Sequence, residues 1–150
     1  MTEPVGQLPD KLYRRLQHER FVLLHTIAED SGTPTSNAIS WIYAADVSKL
    51  RLAVDARSHL VANMRAHPQV AVTVFAAGMV YAVYGRAALV TEALADVPIK
   101  LACFDIAVSE VREALFYGAR ITVEPEFVKT YDKRAADRLD NQVFAAMKKA

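Results

Sequence analysis

FVLLHTIAEDSGTPTSNAISWIYA, residues 21–44, decides how the rest of the chain is read. Phe21 to Ala28 is an apolar run that suits a pleated, half-buried backbone. Thr35 to Ala44 is a second, carrying Ile39, Trp41, Ile42 and Tyr43. Between them stand Glu29, Asp30, Ser31, Gly32, Thr33 and Pro34. Acidic and hydroxyl side chains bond their own backbone, glycine admits positive φ and proline presets the bend, so this is a turn. Two strands joined this tightly pair antiparallel. A third strand, Leu50 to Asp55, follows Asp46-Val47-Ser48-Lys49. Val70 to Ala76 and Val80 to Thr91 make a second hairpin around Ala77-Gly78-Met79, with Val70, Val72 and Val74 alternating at period two.

Helical spacing appears elsewhere. Leu8, Leu12 and Leu16 recur every four residues and predict a helix at about residues 8–18. Ser58 supplies a side-chain oxygen to cap a short helix with Leu60 and Met64 on its inner stripe, and Pro68 stops it. Val97, Leu101, Phe104, Val108, Val111 and Leu115 recur at four, three, four, three and four. That seam predicts a long helix, with Asp96 as its N-cap, Pro98 in its first turn and Gly118 ending it. Arg120 to Glu124 reads as a last strand, and a final helix begins at about Asp132 with Leu139, Val143 and Met147 on one face. Strands in tight antiparallel succession with interspersed helices make the class α+β.

The 150 residues are 53% apolar and 23% charged, enough for one core and a single domain, residues 1–150. With 18 basic and 17 acidic residues scattered along the chain, no field of one sign draws in nucleic acid or an anionic membrane. The apolar runs have strand length, far short of the roughly 20 residues of a membrane span. The polar N-terminus lacks a signal-peptide core, and Cys103 has no second cysteine to pair with. A cytoplasmic protein is expected.

Three stretches, taken in order, resemble a known family: FVLLHTI with Gly32-Thr33-Pro34, then RSHLVANMRAHP at 57–68, then GRAALV at 85–90. They are similar to the opening hairpin, the phosphate-side helix and a later Gly-Arg strand of the pyridoxamine 5'-phosphate oxidase-like, FMN-binding split-barrel proteins. The resemblance implies a mostly antiparallel, six-stranded split β-barrel with flanking helices. It also implies a homodimer with FMN in clefts between the subunits, and an oxidoreductase acting on a small-molecule substrate or electron donor. It places Asn37, Ala38, Ile39 and Ser40 along the flavin, and Val54, Asp55, Arg57, Ser58, His59 and Leu60 around its phosphate. A helix N-terminus suits that task, since its unpaired amides face an anion.

The sequence departs from the family's pattern where charge is needed. Asn37 stands where members often carry arginine, and His59 and Leu60 where they carry a basic pair. The true oxidases resemble longer chains with a tryptophan-bearing, arginine-rich C-terminal strand. Here the one tryptophan is Trp41, which argues against pyridoxamine phosphate oxidation. The heme-degrading relatives use a C-terminal histidine, whereas the last histidine here is His67. The alternative is a cofactor-free dimeric split barrel that binds another small ligand or acts in stress response or regulation.

Other residues read as structural. His18, His25, His59 and His67 lack metal-ligand spacing. Cys103, on the long seam beside Phe104, reads as packing. Trp41 and Tyr43 share a strand face and read as core or interface residues. Asn63 is expected to bond back to the loop before its helix, or to face a ligand. No side chain stands out as catalytic.

Overall fold

The hairpin of residues 21–44 forms as β1 (Val22–Ile27) and β2 (Pro34–Ile39), with Val22 opposite Ile39 and Ile27 opposite Pro34. The structure, a computed structural model, describes residues 3–150. Around this hairpin run α1 (Asp10–Arg15), β3 (Ile42–Asp46), β4 (Lys49–Asp55), α2 (His59–Ala66), β5 (Gln69–Ala76), β6 (Met79–Thr91), β7 (Leu101–Glu113) and α3 (Lys133–Lys149). The strands make one antiparallel sheet in the order β2-β1-β5-β6-β7-β4-β3.

Three expectations are corrected. The sheet has seven strands rather than six, because Thr35 to Ala44 breaks at Ser40 and Trp41. There the Ile42 amide donates to the Ser40 carbonyl at 3.0 Å, a three-residue turn that sends β2 and β3 to opposite edges of the sheet. Arg120 to Glu124 is not a strand but part of an irregular strap, residues 114–132, held to the β5–β6 turn by an Ile121 amide bond to the Gly78 carbonyl.

The largest correction concerns residues 97–115, which form β7 and the turn before it, not a helix. Ala102, Phe104 and Ile106 point into the main core, while Leu101 and Cys103 point outward beneath α3. A strand covered on both faces loses its alternation and reads as a continuous apolar run. Asp96, the expected N-cap, takes a positive φ of 64° in the β6–β7 connection.

The β2–β3 corner shapes the sheet. Its two outermost strands are joined by only two residues, which span about 10 Å. In a flat sheet of this many strands the edges would stand about 29 Å apart. The sheet therefore curls, enclosing Val22, Leu24, Leu52, Val72, Val83 and Phe104, with Leu12 of α1 and Leu60 and Met64 of α2 packed among them. Gly85 lets the wall close: a Cβ there would lie 2.5 Å from the Ala107 carbonyl oxygen, at a bulge where the β6–β7 register shifts.

A second core lies outside the curl, where Val143, Ala146 and Met147 of α3 cover Tyr43, Ala53, Leu101 and Cys103. Asp132 caps α3 through the Ala135 amide at 2.9 Å. Lys129 latches strap and helix to the β2–β3 corner. Its ammonium binds Glu19 at 2.8 Å and Asp140 at 3.0 Å, and lies 5.7 Å from the centre of the Trp41 ring. The Trp41 indole donates to the same Asp140 carboxylate at 2.9 Å. Trp41 and Tyr43 are thus packing residues under α3.

Candidate functional site

The phosphate-side residues follow one another off the end of β4. The Asp55 carboxylate receives the Arg57 amide at 2.8 Å and its guanidinium at 3.2 and 3.1 Å, which closes the turn into α2. Arg57 is 90% exposed along its side chain, and its bonds hold the Asp55 carboxyl below the usual carboxylate range. Ser58 caps the helix as expected, its hydroxyl oxygen accepting the Leu60 amide at 3.1 Å. Among the described residues the Ser58 hydroxyl proton has no acceptor and is available to donate. The His59 amide, first in the helix, has no backbone partner among the described residues, and its ring is exposed. Val54 and Leu60 turn inward and are buried in the main core, so they offer a ligand only backbone.

The flavin-side residues lie on β2. Asn37 and Ile39 are half-buried, Ala38 is exposed, and Ser40 at the kink donates to Glu19 at 2.7 Å. Since β2 ends the sheet, one side of its backbone carries no partner strand.

Asn63 ties the two groups together. It is buried, accepts the Glu29 amide at 3.0 Å just past β1 and donates to the Thr26 hydroxyl at 3.0 Å. Thr26 in turn shares a 2.7 Å hydroxyl bond with Thr35 at the start of β2. Asn63 thus bonds the hairpin rather than the loop before its own helix, and fixes α2 against the hairpin that carries Asn37. Sequence reasoning also missed Lys100. The Ala56 amide donates to the Lys100 carbonyl at 3.1 Å, which sets this exposed lysine beside the turn into α2. Lys100 forms no ion pair among the described residues. Only its distance along the chain hid it.

Outward from the core, the β1–β5–β6 face is short of charge. Leu23, Thr73 and Ala82 stand in one cross-strand row and His25, Ala71 and Tyr84 in the next. Charge begins at the rim, with Arg86, Glu110 and Arg112. A cleft of about 470 Å³ lies elsewhere, between Gln17–Glu19 and α3. Among the described residues no group of three or more His, Cys, Asp or Glu could hold a metal ion, and no helix is long and apolar enough to cross a membrane.

Residues 8–115, which hold every one of these candidate residues, match the family described as pyridoxamine 5'-phosphate oxidase. The chain belongs to that family. Solved structures share the fold of this family member at low identity. An F420 reductase is 20% identical, with a TM-score of 0.56 over 70% of this chain and 98% of its own. A putative pyridoxamine 5'-phosphate oxidase from Lactobacillus delbrueckii is 17% identical, with a TM-score of 0.59 over 72% of this chain and 95% of its own. General Stress Protein 26 from Bacillus anthracis is 15% identical, with a TM-score of 0.55 over 68% and 89%. No curated protein matches the chain. Fold and family are thereby fixed; chemistry has to come from the site.

Proposed function

We infer that this family member is an FMN-dependent oxidoreductase, working as a homodimer on a small-molecule substrate or electron donor other than pyridoxamine phosphate. One observation carries the reading: the open edge of β2 and the unbonded start of α2 are held as one unit by Asn63. The donor set fits a phosphate-bearing flavin. The Ser58 hydroxyl and His59 amide offer hydrogen bonds, the Lys100 ammonium supplies the charge that Asn37 and Leu60 do not, and the β2 backbone offers unpaired groups to a ring edge. Arg57 contributes less than its sequence position suggests, since Asp55 already engages it. When bound, FMN supplies hydride or electron transfer, and the chain supplies placement and shielding.

The same geometry supports a dimer. An uncharged sheet face rimmed by charge has the make-up of an interface core, and a twofold partner is the commonest occupant of such a face.

A second reading, a cofactor-free dimer in binding or regulation, draws on the Asp55 carboxylate at the phosphate side, which repels an anion. Titration with FMN, read by quenching of flavin fluorescence, decides between them. Lys100→Ala is expected to weaken FMN binding about tenfold or more, since a charge-assisted bond is worth roughly 1.5–3 kcal/mol. Quenching by wild type with unchanged affinity in Lys100→Ala removes Lys100 from the site. No quenching by wild type at micromolar concentrations overturns the flavin reading.

A further inference from the structure

Tyr81 departs from the rule that a buried polar group finds a partner. It is 2% exposed and belongs to the main core, yet its hydroxyl makes no hydrogen bond among the described residues. A phenylalanine would fill the same place without the desolvation cost of an unbonded hydroxyl. Tyr81 also lines a hollow of about 240 Å³ at one end of the curled sheet. It stands opposite Val74, near the turn of the β5–β6 hairpin, whereas Arg86 stands opposite Gln69, where the chain leaves α2. Those two ends of β6 lie about 17 Å apart, so the hollow is distinct from the phosphate-side residues.

The apolar walls of the hollow have no backbone group to spare for that hydroxyl. Val5 and Val111 bond each other, amide to carbonyl in both directions, at 3.1 and 2.7 Å. Pro9 has no amide proton, and its carbonyl already accepts the Leu12 and Tyr13 amides at 3.0 and 2.9 Å. A water against these walls would lack the two to four partners that hold a buried water. Lys11 and Arg112 on the lining are matched by Glu3 and Glu113, so neither an anion nor a cation is favoured. A cavity of roughly 150 Å³ takes a benzene ring, so this one has room for a substituted ring. We propose that the hollow binds a small neutral phenol, with its ring against Val5, Pro9 and Val111 and its hydroxyl on that of Tyr81. A phenol hydroxyl both donates and accepts, as the Tyr81 hydroxyl does, and a single ring asks nothing more of the walls than apolar contact. The site does not depend on the flavin reading.

The test is an NMR titration of the full chain with 4-methylphenol, set beside toluene, which has the same ring and methyl group without the hydroxyl. In wild type, 4-methylphenol is expected to give saturable shifts at the Val5, Val111 and Glu113 amides, and toluene to bind about fivefold more weakly or not at all. Tyr81→Phe removes an oxygen that bonds nothing else among the described residues, so it keeps the fold and melts no lower than wild type. Its affinity for 4-methylphenol falls about fivefold, the loss of one neutral hydrogen bond. The proposal is overturned by the absence of saturable shifts in wild type, by equal affinity for toluene, or by unchanged affinity in Tyr81→Phe. Ligand-free Tyr81→Phe melting below wild type overturns it too, since the hydroxyl would then be bonded within the folded protein. FMN enters none of these titrations, so the flavin reading stands or falls apart from them.

Discussion

Replacing Asn63 with alanine tests whether one buried amide organises the site. Two hydrogen bonds of 3.0 Å are lost, from the Glu29 amide and to the Thr26 hydroxyl, each worth about 1 kcal/mol net. The Glu29 amide lies at an exposed turn and recovers part of its loss with water, whereas Thr26 is buried and keeps only its bond to Thr35. Alanine is the better helix former by roughly 0.6 kcal/mol, which offsets a fraction. The small cavity left behind works the other way. The net loss is about 2 kcal/mol, or a fall in melting temperature of about 4–8 °C for a chain of this size. Scanning calorimetry of wild type, Asn63→Ala, Thr26→Val and the double variant closes a cycle in which the two side chains couple by about 0.5 kcal/mol or more. FMN affinity of Asn63→Ala, measured well below its melting point, falls as well, since the hairpin and α2 lose their shared anchor. Melting within 1 °C of wild type, or strict additivity with Thr26→Val, would refute the reasoning.

Gly85→Ala places a Cβ 2.5 Å from a backbone oxygen and 2.6 Å from the Ile106 side chain; overpacking of this kind costs about 1–3 kcal/mol, read as a lower urea midpoint. An unchanged midpoint means that the β6–β7 wall is not closed there. Cys103 is fully buried, and burial pushes its thiol up to about 11, so a thiol reagent at pH 8 leaves the folded protein unmodified and reacts on unfolding. Because the unfolded thiol ionises first, its contribution to stability is present below about pH 9 and is lost as pH rises towards 11; Cys103→Ala should flatten that decline. Lys129→Met keeps the stem but strips the charge from between two partly buried carboxylates, costing about 1–2 kcal/mol. Hydrogen exchange should show α3 opening ahead of the sheet in that variant, and equal protection of both would show that the latch does not hold the helix.

Burial works against the Lys129 charge, yet Glu19 and Asp140 outweigh it and hold its pKa above the ordinary 10.5. The latch is therefore intact throughout neutral pH and loosens only as pH rises beyond that value. Arg51 does the corresponding work at the far end of α3. Paired with Asp105 at 2.6 Å, it donates to the carbonyls of Met147 and Ala150 at 2.9 and 2.7 Å and so caps the helix C-terminus. The bonds from Lys129 to Glu19 and from Arg51 to the end of α3 join residues roughly a hundred positions apart, and neither shows a local signal.

What depends on near neighbours was legible in the sequence. The β1–β2 hairpin, the Ser58 cap, the β5–β6 hairpin and the Asp132 start of α3 each rest on contacts a few residues apart, where side-chain chemistry fixes the backbone directly. The turn that opens α2 was legible for the same reason. What depends on distant neighbours was not. Residues 101–113 carry an apolar pattern that serves helix or strand equally, and pairing with β4 on one side and β6 on the other makes them a strand. Ser40 and Trp41 look like the middle of one strand until the curl of the sheet needs a corner there and the second core draws Trp41 under α3. Asn63 and Lys100 acquire their places only when the hairpin and the β6–β7 connection meet α2. Local turn and cap chemistry is written residue by residue; which face of a strand is covered, and which charge stands beside a helix end, is settled only by what the folded chain brings against them.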